Sequence, residues 1–229
     1  MPDSLEVPLF PLGTVLFPTQ PLPLRIFEER YKLMISECIE TGSGFGVVLI
    51  KEGREVGAPA VPFDVGTMAE IVESERFPDG RYNLKTIGAK PFRLIRVTQL
   101  NPYMRGEIEP LEYERSATSS LESLMGSVRE RFLVHLEVLA EIYGAALPSL
   151  DLSTEDPELL SYLVANILAV RMPEKQILLE EASVTERLKR EASMLARENK
   201  ALQALLYLKQ QRKSEPGAPS DLSDRISPN

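Results

Sequence analysis

The chain of 229 residues contains no tryptophan, one cysteine (Cys38) and one histidine (His135). A single thiol closes no internal disulfide and fits a reducing cytoplasm, which is the location expected. One Cys and one His cannot supply the ligand set of a structural zinc site, so no metal is expected. There is no Gly-Lys dipeptide, hence no P-loop, and no nucleotide or other cofactor is expected. Apolar runs are short. The longest, such as Phe45-Gly46-Val47-Val48-Leu49-Ile50, fall far below the roughly 20 residues of a membrane-spanning helix. The first residues lack the basic-then-apolar order of a secretory signal. A basic footprint is missing as well. Net charge is −8, and residues 1–115 and 116–229 each carry 13 Lys/Arg against 17 Asp/Glu. That balance argues against phosphate-dominated binding of nucleic acid.

What is present is an ordinary globular composition, 43% hydrophobic, long enough for a real core in one or two domains. The sharpest local signal lies between Val65 and Val97. Phe77-Pro78-Asp79-Gly80 has the chemistry of a turn: Pro78 presets φ, Asp79 bonds nearby backbone, and Gly80 accepts positive φ. Thr67–Val72 and Tyr82–Thr86 flank it with strand character, which predicts a β-hairpin continued past Gly88 by a third strand, Phe92–Val97. Leu5–Phe10 reads as a strand that Pro8 confines to an edge or bulge. Pro11, Pro18, Pro21 and Pro23 then stiffen an extended crossing, with a strand at Leu22–Ile26. From Phe27 the period turns helical, and Phe27, Tyr31, Met34, Ile35 and Cys38 fall on one face, ending at Gly42. Phe45–Lys51 and Met104–Glu112 complete the strands, with a loop over Gly53–Pro62 between them.

At Ser116 the pattern changes to helices. A stripe from Leu121 to Tyr143 is followed by a helix capped by Asp156 with Pro157 at its first position. A short helix over Glu174–Glu181 precedes a long one opened by Ser183 and Glu186. In that long helix Leu188, Leu195 and Leu202 are seven apart, but Glu191 and Asn199 break the seam, which favours packing among helices over a coiled coil. Residues 214–229 are rich in Pro, Ser and Asp and are expected to be disordered.

Candidate chemistry is sparse. The glycines at 42, 44 and 46 follow a helix and precede a strand, the reverse of a phosphate loop. A Cys38–His135 dyad is formally available, but Cys38 sits on an apolar helical face where an inert thiol is the usual outcome. Arg81, Lys85, Lys90, Arg93 and Arg96 are open to two uses, an RNA or acidic-peptide surface and cross-strand pairing with Glu70, Glu73 and Glu75. Pairing is favoured. Phe10, Leu12, Leu16, Phe17, Leu22 and Phe27 lie among prolines, either as an exposed groove for extended peptide or as a segment that wraps and closes the β half.

Several separated motifs resemble one family. Pro8-Leu9-Phe10-Pro11-Leu12, Val15-Leu16-Phe17-Pro18 and Leu22-Pro23-Leu24 are similar to the opening of the Lon protease N-terminal substrate-binding domain. Val65-Gly66-Thr67, Phe77-Pro78-Asp79-Gly80, Gly88 and Phe92-Arg93 follow in the same order. Met172-Pro173-Glu174-Lys175-Gln176, Leu178-Leu179-Glu180 and Glu186-Arg187-Leu188 match the family's helical part. The resemblance covers roughly residues 5 to 208. It implies an α+β fold: a PUA-like β pseudo-barrel with one helix over residues 1–115, then an α-helical bundle over 116–213. It also implies a stand-alone, non-catalytic module, with neither the ATPase nor the peptidase of the full protease. The expected partners are unfolded or degron-bearing polypeptides, with an adaptor or holdase role and a possible partner protease or chaperone; no membrane is expected as partner. The alternative is an RNA-binding PUA-like protein. The expected peptide-binding residues are Phe17, Pro18, Leu22, Phe27 and Arg30, with Tyr82 as neighbour. Prolines fix the backbone before a ligand arrives, aromatics supply area with few rotors, and Arg30 offers donors.

Overall fold

The computed structural model describes residues 5–54, 60–113, 119–144, 146, 150 and 152–214. Six strands come first: β1 (Leu5–Leu12), β2 (Pro21–Ile26), β3 (Phe45–Glu52), β4 (Val61–Arg76), β5 (Tyr82–Gln99) and β6 (Arg105–Pro110), with helix α1 (Glu29–Thr41) between β2 and β3. Four helices follow: α2 (Ser119–Tyr143), α3 (Pro157–Ile167), α4 (Met172–Glu180) and α5 (Val184–Ser214). The change of character expected at Ser116 falls between Pro110 and Ser119, and the 115/116 boundary itself lies outside the described residues, as does the tail from residue 215.

One mixed sheet runs β2-β5-β4-β3-β1-β6, and β5 also pairs with β6. The pairings β4–β3–β1–β6–β5–β4 therefore return on themselves. β5 makes this possible. The third strand expected at Phe92 is not separate: β5 is one strand of 18 residues that continues through Gly88 and Pro91. Opposite it on β4, Thr67 faces Pro91 and Ala69 faces Gly88, so β5 carries one extra residue at that point. Such a bulge bends a strand without ending it. The first half of β5 thus serves β2, and its second half serves β6. β4 likewise starts at Val61, so Pro62 belongs to a strand rather than to the loop expected there. Pro8 pairs only with β6, at Arg105, and the β3 ladder begins one residue later at Leu9. Its missing N–H costs nothing on that open side.

The turn forms as its residues dictate. Gly80 takes φ 82°, its N–H reaches Phe77 O at 2.9 Å, and Asp79 Oδ1 accepts from the Arg81 N–H at 3.1 Å. Helix α1 ends on Gly42 at φ 66° and buries Tyr31, Met34, Ile35 and Cys38 against the sheet. Phe27 does not share that face. The helix starts at Glu29, so Phe27 is still extended chain, and it is 59% exposed.

The two kinds of structure share a core. Val15, Phe17, Leu49 and Val65 from the β half join Phe132, Leu160, Leu178 and Leu188 of the helices in one buried cluster. Leu16 points the other way, into the cluster under α1 with Phe10, Met34 and Phe45. The crossing before β2 is therefore interior, and of the two readings of these apolar residues the wrapping one holds for Leu16 and Phe17. Polar contacts clamp it. Thr67 Oγ1 donates to Leu16 O at 2.6 Å, Thr19 N–H to Gly88 O at 2.8 Å, and Gly88 N–H to Gln20 O at 2.9 Å. A Cβ on Gly88 would lie 2.0 Å from Phe17 O. No side chain fits there.

Among the helices, Glu191 and Asn199, which interrupt the leucine spacing, are buried. Asn199 Oδ1 lies 2.7 Å from His135 Nδ1, and Asn199 Nδ2 donates to Arg131 O at 2.8 Å. With Lys209 also meeting Ile142 O, α2 and α5 run parallel. Arg187 donates through Nε to Ser161 Oγ at 2.7 Å, and the Ser161 hydroxyl donates to Glu191 Oε1 at 2.7 Å. The Arg187 guanidinium lies 4.4 Å from the Tyr113 ring centroid and 4.7 Å from that of Tyr162. Cation–π contact with these two rings takes the place of water for Arg187 N–H groups that have no hydrogen-bond partner. Burial pushes the Glu191 carboxyl up to about 8, against the lowering effects of Ser161 and Arg187.

Two outcomes follow from these contacts. Gly88→Ala destabilises the protein by about 3 kcal/mol, because backbone rather than a flexible side chain must move; denaturant unfolding measures it. For Glu191, the folded carboxyl binds its proton more tightly than the unfolded one. Its contribution is whole below the unfolded value near 4.5 and is lost as pH rises through about 8. Wild type therefore loses stability relative to Glu191→Gln across that window, by at most about 1.4 kcal/mol per pH unit. The difference between the two unfolding curves isolates it from His135, whose lowered pKa, caused mainly by burial, acts with opposite sign.

Candidate functional site

The six residues expected to meet a peptide do not form one surface. Phe17 is 0% exposed, within the shared core. Pro18 is buried, and its carbonyl accepts from Asn166 Nδ2 of α3 at 3.5 Å. Leu22 is half-buried and, with Leu24, packs on the cluster beneath α1. Tyr82 is 5% exposed, opposite Ile26 in the β2–β5 register, with the Arg76 guanidinium 5.7 Å from its ring centroid. Arg30 lies over the Tyr31 ring at 4.4 Å and pairs with Glu28 at 3.0 Å. Phe27 alone stands well out of the protein. The end of β2 brings Phe27 near Tyr82 and Arg30, while Leu22 sits four residues back, about 13 Å along an extended strand. Phe17 and Pro18 as ligand-contacting groups are therefore corrected: the alternation that turns Leu16 to one core turns Phe17 to the other.

Two grooves lie on the sheet. One, of about 640 Å³, crosses the polar face of the β2–β5–β4 ribbon and is lined by Pro23, Arg25, Asn83, Lys85, Glu73 and Glu75 among others. The second, of about 480 Å³, lies between Glu70–Ser74 of β4 and the end of α1 at Cys38, Ile39 and Gly42–Gly44. Neither was foreseen. The signal available was the length of β4 against that of β3, and a sequence shows where a ladder ends only when its partner is known.

The basic residues of the sheet are largely spent internally. Arg81 pairs with Asp79 at 2.6 Å, Lys85 with Glu73 at 2.6 Å, Arg96 with Glu107 at 2.7 Å, and Arg93 with Glu109 at 3.7 Å. Of the three acidic partners expected, only Glu73 takes an ion pair here; Glu75 accepts from Asn83 Nδ2 at 3.3 Å. Cys38 and His135 do not meet. The thiol is buried beneath α1 with Gly44 O at 3.7 Å, while the imidazole is held by Asn199 among the helices. Burial raises the Cys38 thiol above its ordinary value. No helix among the described residues is long and apolar enough to cross a membrane.

This arrangement, a mixed sheet with one helix beneath it and four helices docked on its side, is an α+β domain of the Lon N-terminal kind. The chain belongs to the ATP-dependent protease La (LON) substrate-binding domain family, whose model matches residues 6–197. A solved Lon N-terminal domain protein from Xanthomonas campestris is 28% identical, with TM-score 0.61 over 81% of this chain and 96% of that one. The N-terminal domain of a Mycobacterium avium complex Lon protease has the same fold, with TM-score 0.64 over 83% and 98% of the two chains and 18% identity. Lon protease of Dictyoglomus thermophilum is 26% identical over 93% of this chain, which covers 27% of that protein. For Lon protease 2 of Syntrophobacter fumaroxidans the figures are 28%, 79% and 22%. The chain thus spans about a quarter of the length of such relatives, and the match lies in the substrate-binding domain, not in an ATPase or protease part.

A thiol so placed reacts slowly. Native protein should label at Cys38 with a maleimide at least about 100-fold more slowly than denatured protein, because only the exposed thiolate attacks. Mass spectrometry of timed samples measures both rates.

Proposed function

We propose that this protein is a non-catalytic polypeptide-binding module, acting as an adaptor or holdase for unfolded or degron-bearing chains in a reducing cytoplasm. The observation that carries this reading is the match of residues 6–197 to a substrate-binding domain. The return of the strand pairings on themselves supports a PUA-like pseudo-barrel as the β half, with the helices packed as a bundle behind it. An RNA-binding role is not favoured: four of the five basic residues that would serve it are neutralised by Asp79, Glu73, Glu107 and Glu109.

Within this reading the client meets the corner after β2. Phe27 is the anchor, Arg30 the donor, and Leu22 a flanking apolar contact, while Tyr82 supports them from the cluster under α1 and Phe17 and Pro18 take no part. An aromatic side chain held in the open, next to a guanidinium and ahead of a fixed helix, offers apolar area at little entropic cost. Its removal separates binding from folding. Phe27→Ser should weaken binding of a permanently unfolded client, such as reduced and alkylated lactalbumin, about fivefold to tenfold while the unfolding midpoint stays within error. Phe17→Ser should instead unfold the protein or lower its stability by about 3–5 kcal/mol. Fluorescence anisotropy and thermal unfolding of both variants provide the measurement. Unchanged client affinity in Phe27→Ser would place the surface elsewhere.

A further inference from the structure

β4 is longer than the strand beside it. β3 pairs with it only up to Phe45 opposite Ala69, whereas β5 follows it as far as Arg76. From Glu70 to Arg76 one side of β4 therefore has no neighbouring strand among the described residues, and the register with β5 shifts between Ile71 and Glu73. The 480 Å³ groove occupies the space where another strand would lie, walled on its far side by the end of α1. Val72 is 68% exposed and Ile39 40% exposed at its rim. The lining includes Glu70 and Glu73 and no Lys or Arg. Helix α1 points its C-terminal end there, with no basic residue in its last turn. Glu73 is already paired with Lys85, so the Glu70 carboxylate and the helix carbonyls make the groove negative.

Resting on the polypeptide-binding reading, we propose that this open edge takes an extended client segment as an added strand, and that the preferred segment alternates apolar residues with Lys or Arg. Backbone pairing supplies sequence-tolerant affinity, since any residue but proline carries both the donor and the acceptor. Val72 and Ile39 receive the apolar side chains. Glu70, which has no ion-pair partner among the described residues, receives the cation. A second copy of this chain does not suit the edge, because it would set Glu70, Glu73 and Glu75 against their own counterparts.

The other sheet margin shows the contrast. Gly88 N–H donates to Gln20 O, so alternation along the antiparallel β2–β5 pair puts Pro21 and Pro23 at positions whose N–H would face outward. Those donors do not exist, and β2 is a poor template. The β4 edge keeps its donors.

The test uses the full chain and three labelled ten-residue peptides: alternating Val-Lys, alternating Val-Glu, and Val-Lys with every second backbone nitrogen methylated. The expected result is that Val-Lys binds at least tenfold more tightly than either of the others. Glu70→Lys should weaken Val-Lys about fivefold and leave the thermal midpoint unchanged. Amide shifts on binding should centre on residues 70–76. Equal binding of the methylated peptide, equal binding of Val-Glu, or indifference to Glu70→Lys would each overturn the edge proposal. Any of these results, obtained while the unfolded client still binds through Phe27, would leave the wider reading standing. Failure of unfolded client and peptides alike would remove both.

Discussion

Six residues, Val15 to Gln20, hold this protein together. Val15, Leu16 and Phe17 turn successive side chains opposite ways into apolar interior, Leu16 under α1 and Val15 and Phe17 against the helices, before the chain turns at Pro18 and Thr19 with the Gln20 N–H on Phe17 O at 3.2 Å. The backbone between is fixed by contacts with β4 and β5. Leu16 O takes the Thr67 hydroxyl, and Phe17 O packs where Gly88 has no side chain. Thr19 sits at φ 63°, a conformation glycine would hold more cheaply, and Gln20 Oε1 accepts the Phe17 N–H at 3.0 Å. A strained residue of this sort persists only where its surroundings over-determine it. Either core alone would be small. Threading one segment through both makes loss of one a loss for the other, and turns two layers into a single cooperative unit.

The helical part meets a different constraint. Apolar stripes alone let neighbouring helices slide by a turn at modest cost, since one leucine resembles the next. Asn199 between His135 and Arg131 O, and Ser161 between Arg187 and Glu191, have partners in only one register. Taking such groups out of water offsets much of what the contacts return. Their effect is therefore on which arrangement forms more than on how stable it is. Tyr113, just past the last strand, belongs to the same device: it stacks on Arg187 and donates to Leu179 O at 2.7 Å, tying the end of the β half to α4 and α5.

What the sequence makes legible is what is decided locally. The Phe77–Gly80 turn, the cap at Gly42, the Asp156 cap on α3 with its bond to the Glu158 N–H at 2.9 Å, and the buried face of α1 all depend on neighbours within a few residues. The run of β5 through Gly88 depends on what lies opposite, and a glycine followed by Pro91 looks the same whether a strand ends or bends there. Glu191 and Asn199 sit at core spacing with Leu188 and Leu195, so the pattern contained the hint. Without sight of Ser161 and His135, polar residues at those positions read as interruptions. Phe17 and Phe27 were equivalent candidates among the prolines. The helix phase separates them: α1 begins at Glu29, too late to turn Phe27 inward, while Phe17 is already committed by the alternation of its own segment.

The margins of the sheet carry the last step. Unpaired strand edges invite other chains. Here most edges are removed outright, because β1, β3 and β6 lie within the closed circuit of pairings. At β2 two prolines delete two of the three outward donors, leaving that of Arg25. Along β4 the backbone is left complete, and the protection is electrostatic instead: carboxylates at 70, 73 and 75 and an irregular register between Ile71 and Glu73. Proline refuses every partner, whereas charge refuses only partners of like sign. The two margins thus differ in kind: β2 has lost backbone donors to proline, whereas β4 keeps its backbone complete and sets carboxylates along it.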